Sequence, residues 1–335
     1  MQSIKKRIWF VLVVAATALI SIYIGILQLN SAAQQELVLS QPQLLEVSQG
    51  DSLHQILLRL HNQKIINRNL WLRAHIKLFQ QQRNIHTGAY ELMPGMALNE
   101  LIQNMINGRV KQFEITLIEG QTWSVWKQII LQSLAITDDL NESTLIEELA
   151  IPGNSLEGWL LPDTYLVTWN TSATEFVRRL YQNMQEYLQS QWQQRVPLLP
   201  YNNAYEALIL ASIIEKETGL ASERPRIAGV FVNRLEQGMR LQTDPTVIYG
   251  LGELFDGNLT RQHLRQRTAY NTYVINGLPP TPIAMPSKAA VKAALNPQTT
   301  EEVYFVAKGD GSHHFSVTLA EHNAAVRKYQ LGKSE

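Results

Sequence analysis

The feature that most constrains this chain is an uncharged run near its N-terminus. No charged residue occurs from Ile8 to Leu29, and these 22 positions, at about 1.5 Å each, reach the ~30 Å hydrocarbon thickness of a bilayer. Basic residues precede the run without an acidic neighbour, namely Lys5, Lys6 and Arg7. This bias predicts a cytoplasmic N-terminus. Residues 1–30 are therefore predicted to form a short cytoplasmic N-terminus and a single-pass helix in the inner (plasma) membrane, with the rest of the chain extracytoplasmic or periplasmic.

A cleaved secretory signal is the alternative for this segment. Small residues follow the apolar run at Ser31-Ala32-Ala33 and would suit a cleavage site. The run is longer than the core of a typical signal peptide, which favours the uncleaved anchor. Either way the chain leaves the cytoplasm, and with no cysteine it can use neither disulfides nor thiolate chemistry there.

The charge balance argues against a nucleic-acid partner. Lys plus Arg equals Asp plus Glu, at 29 each, so no overall basic field would steer nucleic acid. The length of 335 residues and the 45% hydrophobic content favour two folded units after the anchor.

Three short segments repeat one pattern, in which alternating apolar residues lead to a glycine and then to a helix start. The glycines are Gly50, Gly95 and Gly120, and the predicted caps of the following helices include Ser52 and Thr122. After a spacer at 31–43, the pattern predicts an αβ subdomain over 44–112 and a second domain over 113–335. The predicted class is α+β, with a mixed α/β second domain.

The first repeat, Val47-Ser-Gln-Gly-Asp-Ser-Leu53, resembles the opening of a LysM module, a small fold that binds glycans. Gly-Asp-Ser before an apolar helix is also an ordinary capping arrangement. Glycan binding and a scaffold role therefore both stay open for this subdomain.

A candidate acid lies at the end of a predicted helix over about 203–218, which Gly219 is expected to cap. Glu217 continues the apolar stripe of Leu210, Ile213 and Ile214, whereas Glu215 lies on a lesser apolar surface. Burial against apolar residues and the negative end of the helix dipole both raise a carboxyl pKa, so Glu217 can hold a proton near neutral pH. An ordinary charged helix end would look the same.

A longer set of motifs resolves that ambiguity through a family resemblance. The motifs are Ala211-Ser-Ile-Ile-Glu-Lys-Glu-Thr218, Val232-Asn-Arg-Leu235, Gly238-Met-Arg-Leu-Gln-Thr-Asp-Pro-Thr-Val-Ile-Tyr-Gly250, Ala269-Tyr-Asn-Thr-Tyr273, Gly277-Leu-Pro-Pro280 and Glu157-Gly-Trp-Leu-Leu-Pro-Asp-Thr-Tyr165. They resemble the endolytic murein transglycosylase (YceG-like) family over essentially the whole chain.

The resemblance implies a membrane-anchored lytic transglycosylase that cuts within peptidoglycan glycan strands. The implied bond is MurNAc-β-1,4-GlcNAc, and the implied product ends in 1,6-anhydro-MurNAc. The family's catalytic glutamate corresponds to Glu217, on a lysozyme-like catalytic helix. It would first protonate the leaving oxygen and then take the proton from the C6 hydroxyl of the same sugar. Because the nucleophile belongs to the substrate, no second protein carboxylate is required.

Amide, hydroxyl, aromatic and acidic side chains around this motif set are predicted to bind substrate. They are Glu157, Asn233, Gln242, Thr243, Asp244, Tyr249, Asn271 and Tyr273. Asp244 precedes a proline, so a turn-forming role is the other interpretation for it. His313 and His314 lack the further ligands that a metal would need, and we expect neither metal nor cofactor.

Two other functions stay open at this stage: a hydrolytic muramidase that uses the same acid with water, and a non-catalytic glycan-binding scaffold of the cell wall. The family resemblance also makes peptidoglycan synthases candidate partners. The sequence does not indicate the cleaved strand length, the preference for nascent or mature glycan, or the oligomeric state.

Overall fold

The computed structural model describes residues 2–79 and 84–332 and divides the chain into two compact units. The first comprises Met1–Phe113 with Val167–Asn170, and the second comprises Glu114–Leu166 with Thr171–Glu335. Helices and short strands are mixed in both, so the predicted mixed α/β class with an N-terminal apolar helix is confirmed.

The first unit begins with a long helix and continues as small αβ elements. In chain order these are α1 (Gln2–Ala33), β1 (Gln43–Val47), α2 (Leu53–Asn62), α3 (Leu70–Phe79), β2 (Gly88–Leu92) and α4 (Leu98–Asn107). The α1 segment Lys6–Ala33 is long and apolar enough to cross a membrane. The strands β1 and β2 pair antiparallel, with Leu45 opposite Tyr90, and α2 and α4 bury their apolar faces in the core of this unit.

The second unit carries the remaining elements. They are β3 (Gln112–Leu117, which begins at the end of the first unit), α5 (Trp123–Gln132), β4 (Ile136–Thr137), α6 (Glu142–Glu148), β5 (Asp163–Thr168), β6 (Thr171–Ser172), α7 (Ala173–Gln193), α8 (Ala204–Glu217), α9 (Arg224–Glu236), α10 (Asp244–Leu251), α11 (Arg261–Arg265), α12 (Lys288–Leu295), β7 (Tyr304–Ala307), β8 (His313–Ser316) and α13 (Leu319–Tyr329). The strand β3 pairs with β5, β4 runs parallel to β6, and β7 and β8 form an antiparallel ladder.

The three predicted strand, glycine and helix repeats are present. Gly50, Gly95 and Gly120 have φ values of 90°, 78° and 74°, a backbone region that side chains with a Cβ rarely adopt. Ser52 caps α2 through a complete capping box. Thr122 precedes α5 but makes no side-chain cap hydrogen bond, so its predicted capping role is wrong.

The segment predicted as a spacer folds onto the first unit. The backbone N–H of Leu37 donates to the Met96 carbonyl at 2.9 Å, and that of Val38 donates to the Ile65 carbonyl at 2.9 Å. Leu37 is buried in the core of the unit. Ordered structure therefore begins before Leu44, because an apolar side chain within this polar stretch has a core to enter.

Candidate active site

The helix α8 places the candidate acid at the end of a buried segment. Asn203 caps the helix by accepting the N–H of Glu206 at 3.0 Å, and every residue from Ala207 to Ile214 is buried. Glu217 is the last helical residue. The predicted Gly219 cap is wrong: Thr218 already leaves the helix at φ −143° and ψ 134°, and its Oγ1 accepts the N–H of Leu220 at 3.0 Å.

The two glutamates at this helix end differ in what surrounds them. The Glu215 carboxylate pairs with the Arg224 guanidinium at 3.0 Å and accepts the backbone N–H of Ser287 at 2.8 Å. It also accepts the Ser287 hydroxyl, and its side chain is only 4% exposed. The Glu215 carboxylate is thus engaged by Arg224 and Ser287 within the protein. Of the two glutamates, Glu217 is the available acid.

Glu217 opens onto a cleft of ≈ 470 Å³. Its floor and walls come from α8, α9, the loop before α10, the β7–β8 pair and α13. The polar lining residues are Glu217, Arg234, Gln242, Thr243, Asp244, Tyr273, Tyr304, His313, His322, Asn323 and Gln330.

Burial sets the protonation of this acid. Loss of solvent raises the pKa of Glu217 to about 7, and the negative charge of Asp244 acts in the same direction. Thr243 Oγ1 donates a hydrogen bond to Glu217 Oε1, which favours the carboxylate and opposes the rise. Near neutral pH the side chain therefore exists in both forms, as a residue that gives up a proton and recovers it must.

Four of the predicted substrate residues lie in the same cleft as Glu217: Gln242, Thr243, Asp244 and Tyr273. The Tyr273 hydroxyl donates to Asp244 Oδ1 at 2.6 Å, which orients the carboxylate at the start of α10. Gln242 is exposed and has a φ of 51°, a left-handed conformation that costs energy outside glycine. A backbone held in such a conformation is stabilised by the structure around it.

The other four predicted residues do not line the cleft, and their polar groups bind protein atoms. Asn233 Nδ2 donates to the carbonyls of Thr300 and Glu302, both at 2.8 Å. Asn271 Nδ2 donates to two carbonyls of the preceding segment, and its Oδ1 accepts the N–H of Tyr273 at 3.0 Å. Both amides hold site-forming segments together.

The buried Glu157 and the partly exposed Tyr249 form a pair elsewhere in the second unit. The Glu157 carboxylate accepts the N–H of Trp123 at 3.0 Å and is 3.3 Å from the Tyr249 hydroxyl. The hydrogen bond from the Trp123 N–H to the Glu157 carboxylate caps the start of α5, where Thr122 makes no side-chain cap. Burial raises the pKa of Glu157 to about 7, because the carboxyl is almost fully removed from water.

Six polar cleft residues were not among the predicted site residues: Arg234, Tyr304, His313, His322, Asn323 and Gln330. Arg234 belongs to the Val232–Leu235 motif, directly after Asn233, so the motif did contain the signal. Its guanidinium is buried and donates to the carbonyls of Val303 and Leu241, both at 2.6 Å. Tyr304 and His322 stack with ring centroids 5.1 Å apart, and they come from C-terminal elements that no motif marked.

The histidines considered for a metal have other surroundings. His313 Nδ1 lies 2.7 Å from Glu223 Oε2, and the His314 ring packs 5.6 Å from that of Tyr329. Across residues 2–79 and 84–332 there is no group of three His, Cys, Asp or Glu side chains arranged to hold a metal ion.

Comparison with known proteins identifies the family of this chain. The model of the YceG-like family matches residues 45–328. An endolytic murein transglycosylase of Bacillus subtilis (strain 168) is 31% identical over 320 residues, covering 87% of this chain and 86% of that protein. One of Streptococcus pneumoniae (serotype 2, strain D39) is 24% identical over 327 residues, and the match covers 86% of this chain and 58% of that protein.

A solved structure agrees with these matches. The crystal structure of a YceG-like protein from Listeria monocytogenes has a TM-score of 0.51 and 28% identity, and the match covers 85% of this chain and 99% of that one. A family match across most of the chain and a relative above 30% identity lead to one conclusion: the chain belongs to the YceG-like family.

Proposed function

We propose that this chain is an endolytic lytic transglycosylase that cleaves MurNAc-β-1,4-GlcNAc bonds in peptidoglycan, with Glu217 as the acid and then the base. The observation that carries the proposal is the state of Glu217. It is the one glutamate of its helix end that structural bonds leave available, it faces an open cleft, and burial raises its pKa to about 7. The names of the curated relatives support the same substrate.

The first step needs a protonated carboxyl beside the glycosidic oxygen. The raised pKa of Glu217 keeps a proton on a substantial fraction of molecules at neutral pH. Proton transfer to the leaving oxygen breaks the bond at C1 of MurNAc as positive charge develops on the sugar. Asp244 lies in the same cleft, where its negative charge would stabilise that transition state.

The second step reverses the role of Glu217. As a carboxylate it takes the proton of the C6 hydroxyl of the same MurNAc, whose oxygen then bonds to C1 and closes the 1,6-anhydro ring. The proton gained equals the proton given, so the enzyme returns to its starting state without water. The hydrogen bond from Thr243 stabilises the carboxylate between the two transfers.

The remaining predicted residues divide into two roles. Gln242, Thr243, Asp244 and Tyr273 are proposed to contact sugar or N-acetyl groups from the cleft. Glu157, Asn233, Tyr249 and Asn271 are proposed to position the segments that form it, since their polar groups already bind protein atoms.

Glu217→Gln tests the proposal, because glutamine keeps the shape of the side chain but cannot exchange a proton. Release of anhydro-ended fragments from isolated sacculi should be lost while the circular dichroism spectrum is unchanged. Glu253→Gln is the matched control, since Glu253 is exposed and lies outside the cleft. Undiminished release by Glu217→Gln would refute the assignment of Glu217, whereas binding to sacculi without any release by the unaltered protein would favour a scaffold role.

We further propose that α1 anchors the protein in the plasma membrane, with its N-terminus cytoplasmic and the second unit outside. The uncharged length of α1 and the preceding basic residues support this orientation. The chain has no cysteine, so Leu198→Cys, at a side chain that is 94% exposed, provides a unique label site. An impermeant maleimide should label it in intact spheroplasts. Labelling only after lysis would contradict the orientation.

A further inference from the structure

The first unit carries a strong local charge that the balanced composition hides. From Ser52 to Tyr90 there is no Asp or Glu, whereas the same stretch contains six basic residues: Arg59, Lys64, Arg68, Arg73, Lys77 and Arg83. The whole chain has a formal net charge of zero. This stretch includes α2 and α3; Asp51 pairs with Arg59 at 2.7 Å, so the local positive charge comes from Arg73 and Lys77 on α3 and from Arg68 just before it.

The structure ties α3 to the apolar helix α1. A Cβ built on Gly25 would lie 4.0 Å from Trp71 Cζ3, so the indole packs directly against α1. Just before α3, the N–H of Asn67 donates to Gln35 Oε1 at 2.8 Å, and Gln35 Nε2 donates back to the Asn67 carbonyl at 3.0 Å. The position of α3 along α1 is thus set by packing and by a reciprocal hydrogen-bonded pair.

That position corresponds to a membrane boundary. Gly25 follows Arg7 by 18 residues, or about 27 Å along the axis at ~1.5 Å per residue. A hydrocarbon core is about 30 Å thick, so with Arg7 at one boundary Trp71 lies within a few ångströms of the other. Tryptophan and tyrosine are enriched at that depth.

The solvent side of α3 has the composition of an interfacial helix. Leu70, Trp71 and Leu78 are 74%, 40% and 66% exposed, although α3 buries Leu72 on its other side. Apolar groups exposed together on one helix of ten residues mark an interaction surface more often than singly scattered ones do. A membrane surface would cover them, because the helix is already held beside the segment that spans it.

A pocket of ≈ 590 Å³ lies beside this stripe. Its apolar lining includes Leu53, Leu57, Leu70 and Ile76, and its polar lining consists of Ser52, His54, Arg68, Arg73 and Lys77. The Arg68 guanidinium is 3.1 Å from His54 Nε2, which also lines the pocket. Apolar groups beneath clustered cations match a phosphate head with acyl chains. An uncharged sugar would need amide and hydroxyl partners, and the Ser52 hydroxyl in this pocket is already engaged with Gln55 in the cap of α2.

We propose that α3 is an interfacial helix that docks on anionic phospholipid, with its apolar stripe at the boundary of headgroups and acyl chains and a lipid phosphate in the basic pocket. The proposal rests on the membrane anchoring of α1 proposed above. It gives the first unit a lipid-binding role in place of, or in addition to, the glycan binding suggested by its opening motif.

The test uses the full chain in phosphatidylcholine vesicles with or without about 30 mol% phosphatidylglycerol, a content that gives a negative surface potential. A nitroxide at Leu78→Cys reports depth by electron paramagnetic resonance, through its relative exposure to dissolved oxygen and to an aqueous nickel complex. A nitroxide at Leu198→Cys is the matched aqueous control. Vesicle flotation measures α1 insertion separately, so a failed anchor and a failed α3 docking give different results.

The expected result is that the Leu78→Cys label lies at headgroup depth in anionic vesicles while the Leu198→Cys label stays aqueous. Each basic residue near an anionic surface contributes about fivefold to such docking. The triple change of Arg68, Arg73 and Lys77 to Gln should therefore weaken it about 100-fold and return the label to water, with flotation unchanged.

Three results would overturn the proposal. The Leu78→Cys label could be as exposed to the aqueous nickel complex as the Leu198→Cys label in both lipids, although the chain floats with the vesicles. It could reach the same depth without phosphatidylglycerol, which would remove the role of the anionic headgroup. The Leu78→Cys label could be shielded from the nickel complex only when glycan strands are added, which would assign this surface to glycan binding.

Discussion

The pKa of Glu217 is the property on which the proposed chemistry depends, and two neighbouring side chains shift it in opposite directions. Thr243 donates a hydrogen bond to the carboxylate and lowers the pKa, whereas the charge of Asp244 raises it. Thr243→Val keeps the volume of the side chain and removes the donor. Asp244→Asn keeps an acceptor for the Tyr273 hydroxyl and removes the charge.

The magnitude follows from the bond that is lost. A hydrogen bond to a charged group is worth about 1.5–3 kcal/mol, and one pKa unit corresponds to about 1.4 kcal/mol. Thr243→Val should therefore move the pKa of Glu217 upward from about 7 by roughly one to two units. Asp244→Asn should move it downward. Both changes leave Glu217 itself in place.

The assay is the pH dependence of kcat/KM for glycan cleavage, which reports the ionisation of the free enzyme. With Glu217 as the acid, the limb on which activity falls as pH rises should lie near pH 7 in the unaltered protein. It should shift up in Thr243→Val and down in Asp244→Asn. Shifts of the same sign in both variants, or none, would refute the assignment of that ionisation to Glu217.

The other predictions concern stability and the cleft loop. The folded protein holds a proton on Glu217 between the ordinary pKa of 4.5 and about 7, where the unfolded chain does not, so stability falls as pH rises through that window. In urea unfolding, the free energy of unfolding of Glu217→Gln should equal that of the unaltered protein near pH 4 and exceed it by about 3 kcal/mol at pH 8. A constant difference between the two proteins across this pH range would contradict the prediction. Glu215→Ala removes the partner of the largely buried Arg224 and should lower the free energy of unfolding by about 3–5 kcal/mol in the same measurement. A loss below ~1 kcal/mol would show that the ion pair is unimportant for stability. Gln242→Gly relieves the left-handed backbone and should add about 1 kcal/mol of stability while turnover falls, and unchanged turnover would show that the side chain does not contact substrate.

The sequence predicted best those features that depend on a few neighbouring residues. A glycine between an alternating strand and a helix start is a local requirement, and all three such glycines adopt the expected backbone. The Ser52 cap is likewise a matter of three residues. Helical spacing favoured Glu217 over Glu215 through an apolar stripe, but the structure buries α8 from Ala207 to Ile214 on every face and buries Glu215 as well, so the two glutamates differ in their partners instead.

Features that depend on distant residues were not predictable in this way. The cap of α5 comes from Glu157, 34 residues away, so Thr122 was the only candidate that local reasoning could name. The wall of the cleft formed by His322 comes from the last helix, more than 100 residues after Glu217. Asn233 and Asn271 have the chemistry of sugar ligands, but only the fold shows that backbone carbonyls already occupy their amides.

The central claim is that the C6 hydroxyl of the substrate, and not water, attacks the sugar after Glu217 protonates the leaving oxygen. Digestion of glycan strands in ¹⁸O-water, followed by mass spectrometry of the new ends, tests this most directly. The account predicts anhydro-MurNAc ends without label in the unaltered protein and no new ends in Glu217→Gln. Reducing ends about 20 Da heavier, the mass of one labelled water, would instead show hydrolysis and contradict the account.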